Sequence, residues 1–283
     1  MADTRRISGL EVAPDRGLTE RLAGSLPGAP IGGPLLAFRS VTSTQEIVRV
    51  LGVRGLPEGT VAVAEHQTTG RGRRGRVWIT PPGAGLLLSV LLRPVLPPAR
   101  WPAIGFAAAC AVADGVEEAS GVTPRLRWPN DVLVDGRKVA GVLAEGVTGP
   151  VACVLLGIGI NLRGEPGEWS ADLAGRAASL GSLGHPAEPE AVLAAVLRHL
   201  AARYEELQRL GFESIRRAWR RRGLFGGPVT GPGVSGVAVD LGPDGGLVVE
   251  GVGGRRTTIV AGEVAIAEPV VGPLRERGTV EPS

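Results

Sequence analysis

Short apolar runs of strand length, separated by turns rich in glycine and proline, limit the folds that this chain can adopt. Residues 60–64, 86–92 and 151–160 are the clearest of these runs, and the 283 residues include 44 Gly and 23 Pro. Runs of this length, bounded by turn residues, predict buried β-strands. Residues 103–119 are almost wholly apolar, which predicts a helix packed against the resulting sheet. We therefore expect an α+β protein built on a mixed sheet.

Further elements and a domain boundary follow from the same patterns. Helices are predicted over residues 42–51, 188–210 and 213–222, and strands over 125–127, 131–134 and 138–145. After Gly226 the sequence changes to short β-like runs, which places a boundary near Phe225. The predicted organisation is a flexible N-terminal leader over 1–35, a main domain over 36–225, a small β-domain over 226–270 and a flexible tail over 271–283.

Composition and charge exclude several classes of protein. The hydrophobic fraction of 43% and the charged fraction of 21% are typical of a globular protein. A formal net charge of +3 is too small for a protein that mainly binds bulk nucleic acid or membrane surfaces. The sequence shows no secretory signal, no membrane span and no metal-ligand spacing, so we expect a cytoplasmic protein whose Cys110 and Cys153 are packed, reduced thiols.

Rare residues single out a candidate site. Of the 31 basic side chains, only Lys138 is a lysine, although lysine is normally a common residue. A single lysine could remain by chance in a sequence biased toward arginine. The alternative is a functional lysine, because a compact ammonium fits as a point charge where a planar guanidinium does not. The sequence has only two asparagines, Asn130 and Asn161, and both lie near Gly-rich segments or the ends of predicted strands. These positions are therefore candidates for binding and catalysis.

A glycine and arginine loop precedes these residues. Residues 70–76 read GRGRRGR, which places four guanidinium groups among three glycines. Arginine forks and exposed backbone amides suit phosphate oxygens, whereas the ordinary alternative is a solvated basic loop or one that binds nucleic acid. Trp78 follows the loop and would either present a flat face to an adenine or fill the core.

Four motifs in this order resemble the catalytic core of bacterial biotin protein ligases. They are GRGRRGRVW at residues 70–78, RWPND at 127–131, GRKVAGVLAE at 136–145 and GIGIN at 157–161, and Ser43-Thr44 matches as well. Each motif is weak alone, but the combination is specific. Gln45 departs from the family pattern, which usually has Asn after Ser-Thr.

The resemblance implies both a fold and an activity. The catalytic domain of the family resembles that of class II aminoacyl-tRNA synthetases, and a small barrel of the Src-homology-3 type follows it. The implied activity forms biotinyl-5'-AMP from biotin and ATP with Mg²⁺ and then transfers biotin to a lysine of a carboxylase carrier domain. The residues before Ser43 are few and rich in Gly and Pro, so we expect no DNA-reading domain and no DNA binding.

The resemblance also implies roles for individual residues. Lys138, Arg71 and Asp131 would act in catalysis, with Asp131 positioning magnesium. Biotin would contact Ser43, Thr44, Gln45, Gln67, Arg71, Gly72, Arg73, Lys138 and Gly141. ATP and the adenylate would contact Arg71, Arg73, Arg76, Trp78, Asn130, Lys138 and Asn161.

Alternative functions remain open at this stage. A lipoate ligase or acyltransferase of the same fold is the nearest alternative, and a nucleic-acid-binding module that uses the arginine loop is more remote. A P-loop nucleotidase is excluded because Lys138 follows Arg137 and not a glycine in a GxxxxGK context. The arginines at 216–222 fit a solvated helix face or a docking site for an acidic carrier. We expect a monomer or a weak homodimer.

Overall fold

The computed structural model describes residues 12–26, 31–165, 175–260 and 264–267. These residues divide into two compact units. The first extends to Gly223 and also includes Pro243–Gly245, whereas the second comprises the remaining residues from Leu224 onward. No helix in the described ranges has both the length and the apolar character that a membrane crossing requires.

A seven-stranded mixed sheet forms the centre of the first unit. The strands of this unit are β1 (Leu35–Phe38), β2 (Val61–Ala64), β3 (Gly70–Arg71), β4 (Val77–Trp78), β5 (Gly85–Leu92), β6 (Arg125–Arg127), β7 (Asp131–Val134), β8 (Arg137–Val147) and β9 (Cys153–Asn161). The order in the sheet is β1-β2-β5-β9-β8-β7-β6, and β3 and β4 pair separately as a hairpin. Only β1 and β2 run parallel, so the predicted mixed sheet is confirmed.

Within the described residues, five α-helices accompany this sheet. They are α1 (Arg16–Gly24), α2 (Thr44–Val53), α3 (Pro102–Ser120), α4 (Pro189–Leu210) and α5 (Phe212–Arg222). Helix α2 packs on β2, β5 and β9, and α3 packs on β8 and against α4 and α5. Gly115 permits the close approach of α3 to α4, because a Cβ atom there would lie 2.7 Å from Cγ2 of Val196.

Helix α1 corrects the prediction of a flexible leader over residues 1–35. Asp15 caps the helix by accepting a hydrogen bond from the Leu18 amide at 2.7 Å, and Leu22 is buried. The Ala37 amide donates to the Thr19 hydroxyl, so the helix also satisfies a backbone group of β1 at the edge of the sheet. The apolar face of α1 needs this strand to cover it, which local sequence patterns do not reveal. Residues 1–11 lie outside the described residues.

The second unit contains a five-stranded antiparallel sheet. Its strands are β10 (Pro228–Gly231), β11 (Val234–Leu241), β12 (Leu247–Glu250), β13 (Arg256–Ile259) and β14 (Ala265–Ile266). They are ordered β13-β12-β11-β10-β14. Their location agrees with the short β-like runs that the sequence predicts after Gly226. The tail predicted over 271–283 lies outside the described residues.

Both cysteines are free and buried. Burial raises the pKa of the Cys110 thiol to about 12 and also raises that of Cys153. Thiols in such surroundings stay protonated and unreactive. The two cysteines are therefore packing residues, as expected.

Candidate active site

Three glycines on β8 and β9 form a floor without side chains. Gly141 pairs with Gly159 across the two strands, and Gly157 lies on the same face as Gly159 because side chains alternate along a strand. Ile158 and Ile160, between and after these glycines, are buried on the opposite face. This alternation explains the GIGIN motif. We call Gly141, Gly157 and Gly159 the glycine floor.

Trp78 lies directly on this floor. A Cβ atom at Gly159 would lie 2.5 Å from Cε2 of the indole, and a Cβ atom at Gly141 would lie 2.9 Å from Cζ3. The indole nitrogen donates to the Thr80 hydroxyl at 2.9 Å, and that hydroxyl donates to the Asn161 side-chain oxygen at 3.3 Å. The indole therefore packs closely on the backbone of the glycine floor, and the hydrogen bond to Thr80 fixes one of its edges.

Lys138 and Asp131 meet at the side of the indole. They are carried by the β7–β8 hairpin, whose turn residues Asp135 and Gly136 have φ values of 48° and 71°. Asp-Gly is favoured at such a turn because both positions require positive φ. The Lys138 ammonium lies 2.6 Å from one Asp131 oxygen and 5.2 Å from the centroid of the Trp78 ring. The lysine is thus held by one carboxylate and one aromatic face.

Asp131 carries its charge because two cations surround it. Its second oxygen accepts a hydrogen bond from Arg127 at 2.8 Å. Burial opposes ionisation of Asp131, but the charges of Lys138 and Arg127 outweigh burial and lower the pKa of this carboxyl below its usual value of 3.8. A group of one anion and two cations remains net positive, which suits an anionic ligand.

The geometry does not fit the expected role of Asp131 as a magnesium ligand. Both of its oxygens already accept hydrogen bonds from cationic groups, which a metal ion would have to displace. Within the described ranges, no group of three or more His, Cys, Asp or Glu side chains could hold a metal ion. The carboxylate fits the positioning of Lys138 instead.

A second group of polar residues lies at the N-terminus of α2. Ser43, Thr44 and Gln45 are all buried. The Thr44 amide donates to the Gln67 side-chain oxygen at 2.7 Å, and its hydroxyl lies 2.8 Å from that of Ser89. Because Thr44 engages the Gln67 oxygen, the amide nitrogen of Gln67 is the atom available to a ligand.

Gln45 contacts the strands of the floor. Its amide nitrogen lies 3.4 Å from the Leu143 carbonyl oxygen and 3.3 Å from that of Leu155, and both oxygens accept from it. A Cβ atom at Gly157 would lie 3.0 Å from the Gln45 side-chain oxygen. From the sequence, Gln45 was expected to contact a ligand, whereas in the structure its nitrogen joins α2 to β8 and β9.

The glycine and arginine loop connects β3 to β4. Arg74 has a φ of 58°, and the Gly72 amide donates to the Arg76 carbonyl at 2.7 Å, so the loop turns tightly back on itself. Arg73 donates to the Asn130 side-chain oxygen at 3.4 Å, which brings the loop to the end of the RWPND motif. Arg71 instead pairs with Glu46 at 2.6 Å. We call residues 70–78 the Gly-Arg hairpin.

Most of the predicted site residues therefore lie on elements that contact one another, namely α2, β8, β9 and the Gly-Arg hairpin. Asn161 is the main exception to its expected role, because it is buried, its amide donates to the Ala178 carbonyl, and it reaches Trp78 only through Thr80. Thr80 and Ser89 were not predicted from the sequence, because no motif gave a signal for them. Arg127 stood within a quoted motif but received no role.

Comparison with known proteins identifies the family. The profile of the Biotin/lipoate A/B protein ligase family matches residues 37–161. The biotin--[acetyl-CoA-carboxylase] ligase of Mycobacterium tuberculosis is 39% identical over 73% of this chain and 79% of its own length. The chain belongs to the biotin protein ligase family. A solved biotin protein ligase from Aquifex aeolicus, in complex with biotin and ATP, superposes with a TM-score of 0.73 at 28% identity.

Coverage differs among members of the family. The match to the Aquifex aeolicus ligase covers 84% of this chain and all of that structure. The bifunctional ligase/repressor BirA of Bacillus subtilis is 36% identical over 69% of this chain, which spans 61% of the length of that relative. The chain therefore spans about three fifths of the length of this longer relative.

Proposed function

We propose that this member of the family activates biotin with ATP and transfers the biotinyl group to a lysine of a carboxylase carrier domain. One observation carries the proposal. The only lysine of the chain is fixed by Asp131 beside an aromatic face and a side-chain-free floor. The relative from Mycobacterium tuberculosis is named for biotin and acetyl-CoA carboxylase, which supports the same substrate and acceptor here.

Lys138 assists the first half-reaction. A biotin carboxylate oxygen attacks the α-phosphorus of ATP, the bond to the β-phosphate oxygen breaks, and pyrophosphate leaves. Two anions must approach one another, and a preorganised ammonium lowers the energy of the charge that develops between them. Asp131 holds this ammonium at 2.6 Å, so it need not reorient during the reaction. Magnesium arrives with the nucleotide as MgATP.

The polar residues at the start of α2 suit the ring system of biotin. Its urea group has one acceptor and two donors, which calls for short polar groups among apolar walls. Ser43, Thr44 and the amide nitrogen of Gln67 supply such groups. Gln45 supports this contact by fixing α2 on β8 and β9.

The Gly-Arg hairpin would bind and cover the nucleotide. Arg71, Gly72 and Arg73 would line the nucleotide, and Arg73 and Arg76 would add guanidinium groups for phosphate oxygens. Asn130 orients Arg73, and Asn161 orients Trp78 through Thr80. The mixed anhydride is hydrolysed by water, so a loop that closes over it protects the product of the first half-reaction.

In the second half-reaction the carrier lysine attacks the acyl carbon of the anhydride, and AMP leaves. A free lysine amine has a pKa near 10.4, so it must approach as the neutral amine, with loss of a proton. We further propose that the first unit is related to class II aminoacyl-tRNA synthetases and that the second is a small barrel of the Src-homology-3 type. Five antiparallel strands support the latter. The dependence on ATP and on carboxylase carriers supports a cytoplasmic site of action.

Pyrophosphate exchange into ATP tests this proposal. Biotin, lipoate and octanoate are compared as acids, with Lys138→Ala and Arg100→Ala, a surface control, beside the unaltered chain. We expect exchange that requires biotin, is lost in Lys138→Ala and persists in Arg100→Ala. Exchange with lipoate alone would move the assignment to lipoate ligation. If none of the three acids supports exchange, adenylation is contradicted.

A further inference from the structure

The Gly-Arg hairpin is tied to the protein at each of its two strands. On β4, Trp78 lies on the glycine floor and donates to Thr80. On β3, the Arg71 guanidinium projects to two carboxylates outside the hairpin. It lies 2.6 Å from Glu46 on α2 and 3.9 Å from Glu145 on β8. The tip of the hairpin, residues 72–76, lies between these two attachments, and Arg73 in the tip also donates to Asn130 at 3.4 Å.

Arg49 completes a cluster of four alternating charges. It lies 3.2 Å from Glu145 and 3.7 Å from Glu46, so each carboxylate faces two guanidinium groups. We call Arg71, Glu46, Glu145 and Arg49 the Arg71 latch. Glu46 adjoins Gln45 in the first turn of α2, and Glu145 ends the GRKVAGVLAE motif on the strand that carries Lys138. The latch therefore joins the hairpin both to the start of α2 and to the strand that carries Lys138.

The latch is strong enough to bias the hairpin and weak enough to open. The Arg71 side chain is 43% exposed, and those of Glu46 and Glu145 are about one third exposed. Ion pairs at such exposure favour one arrangement modestly and exchange readily with solvent or with another anion. A hairpin that admits two substrates and then covers a water-sensitive product needs this kind of attachment.

We propose that Glu46 and Glu145 are positioning residues that hold the Gly-Arg hairpin closed through Arg71 and so limit the escape of the activated acyl intermediate. This role rests on the proposed adenylation of biotin. Each carboxylate pairs with Arg71 and Arg49 and not with Lys138. Their removal loosens β3, widens the passage at the tip and lets the intermediate diffuse away before an acceptor arrives.

The latch itself is tested without any substrate. Trypsin cleaves after arginine, so four cleavage sites in the hairpin report its opening in the free protein. Glu46→Gln and Glu145→Gln keep these sites and remove only charge. Each should accelerate cleavage at residues 71–76 by about twofold to fivefold, read by mass spectrometry of early fragments. Unchanged cleavage in both variants would overturn the proposal.

Two matched controls separate the latch from general loss of an ion pair. Glu20→Gln removes the exposed pair with Arg16 on α1 and should leave hairpin cleavage unchanged. Arg49→Gln removes a latch member but leaves both carboxylates to Arg71, so cleavage should stay the same or slow. Acceleration in Arg49→Gln as large as in Glu46→Gln would show that the two Arg71 pairs are not the attachment.

The functional consequence is tested by partitioning of the intermediate. With biotin and ATP but no acceptor, the Glu46→Gln and Glu145→Gln variants should release about twofold to fivefold more free biotinyl-adenylate per bound equivalent, while the rate of pyrophosphate exchange falls less. Faster cleavage without greater release would overturn the role in retention. Faster cleavage in a protein that forms no adenylate would leave the latch intact and refute the proposed function instead.

Discussion

Gly159→Ala tests the contact between Trp78 and the glycine floor. The added methyl carbon would lie 2.5 Å from Cε2 and 2.8 Å from both Cζ2 and Nε1 of the indole, where an ordinary contact begins at 3.4 Å. The indole must therefore retreat by about 1 Å, since β9 is paired on both sides and cannot yield. That movement weakens the 2.9 Å hydrogen bond from Trp78 to Thr80.

The expected effects are large enough to measure. Overpacking costs about 1 to 3 kcal/mol and loss of the hydrogen bond about 1 kcal/mol, so urea unfolding should show destabilisation of about 2 to 4 kcal/mol. Displacement of the indole by about 1 Å should lower pyrophosphate exchange by about tenfold to a hundredfold. Gly105→Ala is the matched control, because its nearest neighbour would lie 3.9 Å away, and as a helical substitution it should stabilise by up to about 1 kcal/mol.

A double variant decides whether the indole is the cause. Phe lacks the fused ring system whose Cε2, Cζ2 and Nε1 atoms the new methyl group meets, so Trp78→Phe should relieve part of the strain of Gly159→Ala. The two changes should then be coupled by more than about 0.5 kcal/mol, and the double variant should be more stable than additivity predicts. Additive effects, or a Gly159→Ala variant as stable and active as the unaltered chain, would refute the reasoning.

Three further outcomes are expected. Asp131→Asn leaves Lys138 and Arg127 without their anion and should cost about 2 to 4 kcal/mol in urea unfolding at pH 7. Because the folded pKa of Asp131 is lowered, the stability that its carboxylate contributes is present above pH 3.8 and is lost as the pH falls through the folded pKa. The difference in unfolding free energy between the variant and the unaltered chain should therefore shrink in acid. A difference that stays constant with pH would contradict the pairing. Leu22→Ala should destabilise by about 2 to 4 kcal/mol if α1 is docked as described, and no loss in thermal or urea unfolding would argue for a loose leader. Incubation with biotin and ATP should label few internal positions, because the sequence holds one lysine, and extensive labelling in mass spectrometry would contradict this.

The sequence was most informative where burial decides the structure. Strand β5 is buried along nearly its whole length, so its apolar run marked both its presence and its approximate bounds. The β7–β8 hairpin was equally readable, since Asp135-Gly136 satisfies a turn that needs positive φ. Helix α1 was missed because β1 covers its apolar face, and β3 was missed because a strand of two residues, Gly70–Arg71, shows no alternating pattern.

The candidate site was readable in its rare residues and unreadable in its common ones. Lys138 stood out by its rarity and Trp78 by its motif, and the structure places the Lys138 ammonium 5.2 Å from the centroid of the Trp78 ring. Glu46 and Ser89 belong to common residue types on ordinary elements, so only the folded arrangement reveals what they contact. The surroundings of Asp131 could not be read from its motif, which shows that a carboxylate is present but not that Lys138 and Arg127 pair with it.

The glycine floor limits the direction in which the acid specificity of this chain can change. Gly141, Gly157 and Gly159 already carry the smallest side chain, so every substitution there removes volume from the site. Acceptance of a bulkier acid must therefore arise on the opposing walls, through Trp78 or the start of α2. A selection for wider substrate range should recover changes in those walls, whereas a selection for narrower range can draw on the floor.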